Sequence, residues 1–365
     1  MSTDPDHQES GVLRRWQAWT PYAAVAFSLI YGALGLFWAL GGPGFPFGPS
    51  IDPSAALTPF PTATAEIGGT IIAPLGLLGG LVGLIMSRGI GRGIVSAVMV
   101  GFAWAVAVGL VVIVPDYRPL LGLAYAPIIL VGAPFDWPPD VGLLDVLPWP
   151  VVNQLICIAG GLLWAVAGVA YLRRMRGDCV FCGRTERAAG WTSSEAALRW
   201  GKWATGVAIT VPLLYAVTRY LWALGVPFGI SEEFLREGQA IGLWWAGAAL
   251  ATLAVGGAAL TFGLIRRWGE IFPRWTPFLA GRRVPESLAV IPASLISVLV
   301  TSAGMMFVRL VLTGTMSEVF VFAEEIGWAA LAPELLWPVW GIALAAATLA
   351  YHYRIRGRCR RCGRL

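Results

Sequence analysis

The chain has 365 residues, 57% of them hydrophobic and only 13% charged, with a formal net charge of +5 and a mean hydropathy of +0.70. Soluble globular chains carry about 45–50% apolar and about 25% charged residues, so a water-soluble domain, a disordered chain and a collagen-like chain are excluded. Five cysteines are too few to staple a chain of this size, and the basic balance reports membrane orientation, with no nucleic-acid partner expected.

Residues 1–13 are polar and are expected to be a disordered cytoplasmic tail. A membrane helix needs about 20 apolar residues. Such runs follow in order at Pro21–Leu40, Ile67–Met86, Gly93–Val114, Val151–Leu172, Trp203–Leu224, Ile241–Ile265, Leu288–Leu312 and Leu336–Tyr353. The first lacks a signal-peptidase site and reads as a retained anchor. A further run, Leu120–Pro134, is short and contains Pro127, and is read as re-entrant or interfacial.

Charge sets the orientation. With the amino terminus inside, all of the 26 basic residues except Arg118, Arg236, Arg219 and Arg309 fall at the cytoplasmic face or in the tails, while the acids favour the outer side. The reading is a multi-pass protein of the cell membrane with both termini cytoplasmic. Tryptophans agree: Trp16, Trp19, Trp200, Trp203, Trp268 and Trp275 sit at inner span ends, and Trp38, Trp149, Trp222 and Trp337 at outer ends.

The second half repeats the first. Arg15-Trp16-x-x-Trp19 recurs as Arg199-Trp200-x-x-Trp203, Tyr31 as Tyr215, and Trp38-Ala39-Leu40-Gly41 as Trp222-Ala223-Leu224-Gly225. At the carboxyl ends, Tyr171, Arg174, Arg176, Gly177, Cys179, Cys182, Gly183 and Arg184 match Tyr351, Arg354, Arg356, Gly357, Cys359, Cys362, Gly363 and Arg364. The expected fold is therefore all-α and polytopic: eight transmembrane helices as two tandem parallel four-helix repeats, related by a pseudo-twofold along the membrane normal. The repeats are taken as 14–186 and 199–365, joined by a cytoplasmic linker at 187–198. Gly76-x-x-Gly79-Gly80-x-x-Gly83 predicts close helix packing.

The Tyr…Trp-Ala-Leu-Gly pattern and the segment Trp268-Gly-Glu-Ile-Phe-Pro-Arg-Trp-x-Pro…Gly281-Arg-Arg-Val-Pro resemble uncharacterised multi-pass membrane proteins of high-GC Gram-positive bacteria. The resemblance covers most of the second copy and the first span of the first. It implies a topology and no activity. The first copy departs from it, with only Ser87–Arg92 where the long motif would stand.

Each copy ends in Cys-x-x-Cys-Gly-Arg, the form of a zinc knuckle: two thiolates hold one metal, and the glycine tolerates a tight left-handed turn. If the fourth and eighth spans converge, Cys179, Cys182, Cys359 and Cys362 complete one tetrahedral zinc site, and the surrounding arginines are expected to lower the thiol pKa values. A redox pair in each copy is the other reading. The layout is loosely similar to membrane thiol oxidoreductases of the vitamin K epoxide reductase and disulfide-bond-forming type, but those carry the reactive pair on the outer face. Cys157 reads as a packing residue.

Arg219 and Arg309 lie within spans near their outer ends. Either they snorkel to the headgroups, or they pair with an outer acid among Glu232, Glu233, Glu237, Glu318, Glu324 and Glu325. With Glu66, the arginines and Glu237, Glu324 and Glu325 form a candidate ligand or ion vestibule. Asn153 and Gln154 are candidates for interhelical hydrogen bonds. On the inner side, Arg266, Arg267, Trp268, Arg274 and Trp275 have the composition of a segment touching anionic lipid. A binding surface for an unknown protein partner is the alternative reading of that segment, and no catalytic constellation emerges. Three roles stay open: a non-enzymatic scaffold or binding component, a small-solute transporter with its site between the repeats, and a thiol oxidoreductase.

Overall fold

The computed structural model describes residues 16–132, 134, 143–179, 182–184, 190–319, 327–359 and 362–364. The expected tail 1–13 and part of the linker 187–198 lie outside them. The described chain is helical, with α1 Trp16–Ala39, α2 Ala65–Ser87, α3 Ile94–Val108, α4 Arg118–Gly132, α5 Leu143–Val146, α6 Trp149–Arg176, α7 Ser194–Ala223, α8 Glu232–Ala240, α9 Leu243–Gly263, α10 Glu286–Thr313, α11 Met316–Val319, α12 Trp328–Leu335 and α13 Trp337–Ile355. Eight helices are long and apolar enough to cross a membrane: α1, α2, α3 with its π-helical continuation Gly109–Ile113, α6, α7, α9, α10, and α12 together with α13. This is the helix set of a multi-pass membrane protein. In lipid the backbone must satisfy its own hydrogen bonds, which makes the helix the natural form for such runs.

Local chemistry sets several ends. Thr64, Ser193 and Ser231 accept from the backbone N–H of Ile67, Ala196 and Phe234, capping α2, α7 and α8. Pro150 and Pro338 occupy first turns, where a missing N–H costs nothing. Gly314 closes α10 in the left-handed region at φ 71°. Large apolar side chains such as Leu77, Leu81, Ile94, Leu260, Ile291 and Ile342 point outward, as a lipid-facing surface permits.

The described residues form two compact units, the first drawn from Met1–Val114, Trp149–Ala188 and Arg358–Leu365, the second from Pro115–Pro148 and Ala189–Gly357. In the first, α1 packs against α2 and α6, and α6 against α3. The α1–α2 contact is the tightest because glycines line it: a Cβ on Gly76 would meet Ser28 O at 2.6 Å, and one on Gly83 would meet Val25 at 2.8 Å. The core is Trp164, Tyr171, Met86, Val82 and small alanines, and Trp164 Nε1 donates to Ser28 Oγ at 3.2 Å. At the other end of the bundle Tyr31, Trp38, Phe45, Phe47 and Phe60 stack edge to face in series. That series gives the long Pro-rich connection between α1 and α2 its own apolar core.

In the second unit α7 packs against α9 and α13, and α13 against α10. The neighbour order along each bundle is thus second, first, fourth, third span. Its inner core is Ala208, Leu264, Leu344, Ala347 and Tyr351, and Trp222, Leu235, Trp244 and Ala329 form a cluster toward the other end. The short run expected to be re-entrant or interfacial is α4, a 15-residue helix packed on α10. Ser302 Oγ donates to Pro115 O at 3.1 Å beside it. The last span differs at its outer end from the sequence reading. The apolar run starts at Leu336, but α12 extends the helical path back to Trp328 and takes Glu334 with it.

Candidate metal centre

Two short turns build the site. At the end of α6, Gly177 is left-handed at φ 68° and Asp178 N–H returns to Arg173 O at 3.0 Å, which stops the helix. Beyond it Cys179 N–H donates to Arg184 O at 3.0 Å and Gly183 N–H to Cys179 O at 2.7 Å. After α13 the same bonds recur: Cys359 N–H to Arg364 O at 2.9 Å and Gly363 N–H to Cys359 O at 2.9 Å. Gly183 and Gly363 both sit at φ 69°, a conformation that side chains with a Cβ rarely adopt. The Cys-x-x-Cys-Gly-Arg spacing therefore folds each segment into a ring closed on its own cysteine.

The carboxyl-terminal segment Arg358–Leu365 belongs to the first unit, and this brings the two turns together. The Sγ atoms of Cys179, Cys182, Cys359 and Cys362 all lie within 4.8 Å of one another. Cys182 and Cys362 are 3.6 Å apart, far beyond a disulfide bond of about 2.05 Å, and none of the four is joined in a disulfide. Sulfurs at the corners of a zinc tetrahedron with bonds of about 2.3 Å would be about 3.8 Å apart. A small contraction of the cluster would reach that geometry, so the residues fit a tetrathiolate metal site.

Around the sulfurs, Arg184 Nη1 donates to Arg364 O at 2.6 Å and Arg364 Nη1 to Arg184 O at 3.0 Å. Each carbonyl oxygen that closes a turn thus also accepts from the other turn's arginine. The expected arginine-driven lowering of the thiols is not what Cys182 experiences. Burial is the largest cause and pushes it up to about 12; the Arg184 backbone hydrogen bond comes next and lowers it, and hydrogen bonds with Cys179, Cys362 and Cys359 raise it further. The guanidinium groups of Arg184 and Arg364 donate to carbonyl oxygens.

Two residues near the base of each fourth span tie that helix into its own bundle. Tyr171 OH donates to Ile90 O at 2.8 Å and Arg174 Nη1 to Ser87 O at 3.0 Å. Tyr351 OH donates to Gly269 O at 2.7 Å and Arg354 Nη2 to Leu264 O at 2.8 Å. In both units the base of the fourth span is thereby tied to the connection between the second and third. The sequence marked these four residues as recurrent, but not as fasteners, because their carbonyl partners carry no sequence signal.

The other candidate residues are described within their own units. Arg219 forms an ion pair with Glu334, an acid outside the set considered for it. Arg219 also lies over the Tyr215 and Trp222 rings at 4.4 and 4.5 Å. Arg309 is half-buried on α10. Glu66 is exposed in the first turn of α2 in the first unit, and Glu237 is exposed on α8. Glu324 and Glu325 lie outside the described residues. Asn153 accepts from Tyr31 OH at 2.8 Å across the α1–α6 contact, and Cys157, fully buried, lies 3.6 Å from the same hydroxyl. Arg266, Arg267, Trp268, Arg274 and Trp275 are all exposed, beside a short antiparallel bridge between Ile271 and Arg283. No protein family, curated protein or solved structure matches the chain.

Proposed function

We propose that this is a non-enzymatic multi-pass protein of the cell membrane, a scaffold or binding component held together by one structural zinc ion. Cys179, Cys182, Cys359 and Cys362 hold the metal, and both termini and the metal site are cytoplasmic. The observation that carries the reading is the convergence of four cysteine sulfurs, from segments far apart in the chain, to within 4.8 Å. Four sulfurs around one point favour a single metal over two separate redox pairs. A structural zinc releases about 10–16 kcal/mol on binding in small peptides, ample to fasten the carboxyl-terminal turn to its counterpart. The bound ion with four thiolates carries two negative charges, and Arg184 and Arg364 stand beside it to offset them.

The reading includes a tandem duplication. It is supported by the recurrent residues, by the like neighbour order within each bundle, and by the near-identical turn geometry. The resemblance to duplicated membrane proteins of high-GC Gram-positive bacteria belongs to the same reading. The exposed Arg266, Arg267, Trp268, Arg274 and Trp275 would rest on anionic headgroups at the cytoplasmic face.

Metal analysis of the full chain purified in detergent tests the proposal. One zinc per chain, and a cobalt-substituted form with the absorption of a tetrahedral tetrathiolate, is the expected result. Absence of bound metal together with disulfide-linked cysteines in freshly isolated protein would overturn it. A reporter fused to the carboxyl terminus is expected in the cytoplasm.

A further inference from the structure

The second unit contains a cavity of about 360 Å³ bordered by α4, α7, α8, α9, α10, α11 and α12. Its walls are mostly apolar and aromatic, with Tyr125, Trp222, Trp244 and Phe307 among them, and the charged groups among its described lining residues are Arg219 and Glu334. Glu334 is 7% exposed. One of its oxygens, Oε1, is taken by Arg219. The other, Oε2, is buried and accepts no hydrogen bond. An unmet buried carboxylate oxygen is costly, and the Glu334 side chain that carries it lines a space large enough for a ligand on the order of a dozen non-hydrogen atoms.

The charges limit what that ligand can be. Arg219 is already engaged: Nη1 donates to Thr218 Oγ1 at 3.0 Å, Nη2 donates to Glu334, and the guanidinium lies over the Tyr215 and Trp222 rings. The pair is neutral as it stands. A cationic ligand would place net positive charge beside Arg219 in a low-dielectric wall, and an anionic one would face Glu334. A neutral molecule with one donor leaves the balance intact and satisfies Oε2. We propose that this cavity binds an uncharged, largely apolar small molecule through one hydroxyl donated to Glu334 Oε2, with its ring or chain against the aromatic walls. Such a molecule partitions into a bilayer, the medium expected around the helices.

The test uses 1-naphthol and its methyl ether, which share shape and differ in the donor. Binding to the full chain in detergent is followed by naphthol fluorescence against protein-free micelles. Naphthol is expected to bind saturably, and the ether about tenfold more weakly, the usual scale for losing a hydrogen bond to a charged acceptor. Glu334→Gln tests the acceptor directly but disturbs the ion pair. Gly247→Leu provides the second variant: a Cβ at Gly247 meets only Arg219 Cδ at 3.7 Å, so the larger side chain fills the cavity and leaves the pair in place. It is expected to abolish naphthol binding with the unfolding temperature retained. Equal binding of naphthol and its ether, undiminished binding to Gly247→Leu, or tighter binding of the alkylammonium 1-naphthylmethylammonium than of naphthol would each overturn the proposal.

Discussion

Arg184 and Arg364 hold each other across the sulfur cluster, each guanidinium donating to the carbonyl oxygen of the other. Those same oxygens accept from Cys179 N–H and Cys359 N–H, so the clasp and the metal-binding turns share their atoms. Loosening the clasp should therefore loosen the metal. Arg184→Ala, the more buried of the two, is expected to weaken the joint by about 1–2 kcal/mol. Zinc should then pass to a chelator about tenfold faster than from the unaltered chain. An unchanged transfer rate would separate the clasp from the site.

The cysteines themselves give a sharper outcome. Cys359→Ser with Cys362→Ser is expected to take the zinc content from one per chain to none and to open the segment after α13 to limited proteolysis. Cys157→Ser, at a fully buried position away from the cluster, should leave the metal content unchanged. Prolonged treatment of the unaltered protein with chelator should reproduce the proteolysis pattern of the double variant.

The Arg219–Glu334 pair predicts an asymmetry between breaking and replacing. Both side chains are about nine-tenths buried, so Glu334→Ala or Arg219→Ala alone leaves an uncompensated charge and is expected to cost about 3–5 kcal/mol. Arg219→Met combined with Glu334→Leu should recover most of that loss. Thermal unfolding of the variants in detergent measures both effects, and equal losses for single and double variants would argue against a coupled pair.

Helix contact at glycine is also testable. At Gly76 any side chain would drive into the α1 backbone, whereas at Gly257 on α9 nothing lies within 4 Å of an added Cβ. Gly76→Leu is expected to destabilise by at least the 1–3 kcal/mol typical of overpacking, about 3 kcal/mol or more here because backbone must move. Gly257→Leu should be close to neutral in the same unfolding assay.

Much of the architecture was legible from the residues alone. Apolar run length selects helices, because a bilayer offers no other partner for backbone groups, and the eight runs are the eight helices that could span one. The Cys-x-x-Cys-Gly-Arg spacing likewise determines each local turn, since only glycine enters the left-handed region freely at Gly183 and Gly363. What spacing could not decide was contact between distant segments. The meeting of Cys179 and Cys182 with Cys359 and Cys362 depends on where the chain end packs. The partner of Arg219 was missed because Glu334 is one acid among many on the outer side until α12 turns it inward. The environment of Cys182 was hidden for the same reason: arginines appear nearby in the sequence, but its burial, the largest influence on it, exists only in three dimensions. Run length and turn chemistry are local and are written along the chain, whereas burial and ion pairing are set by which surfaces meet.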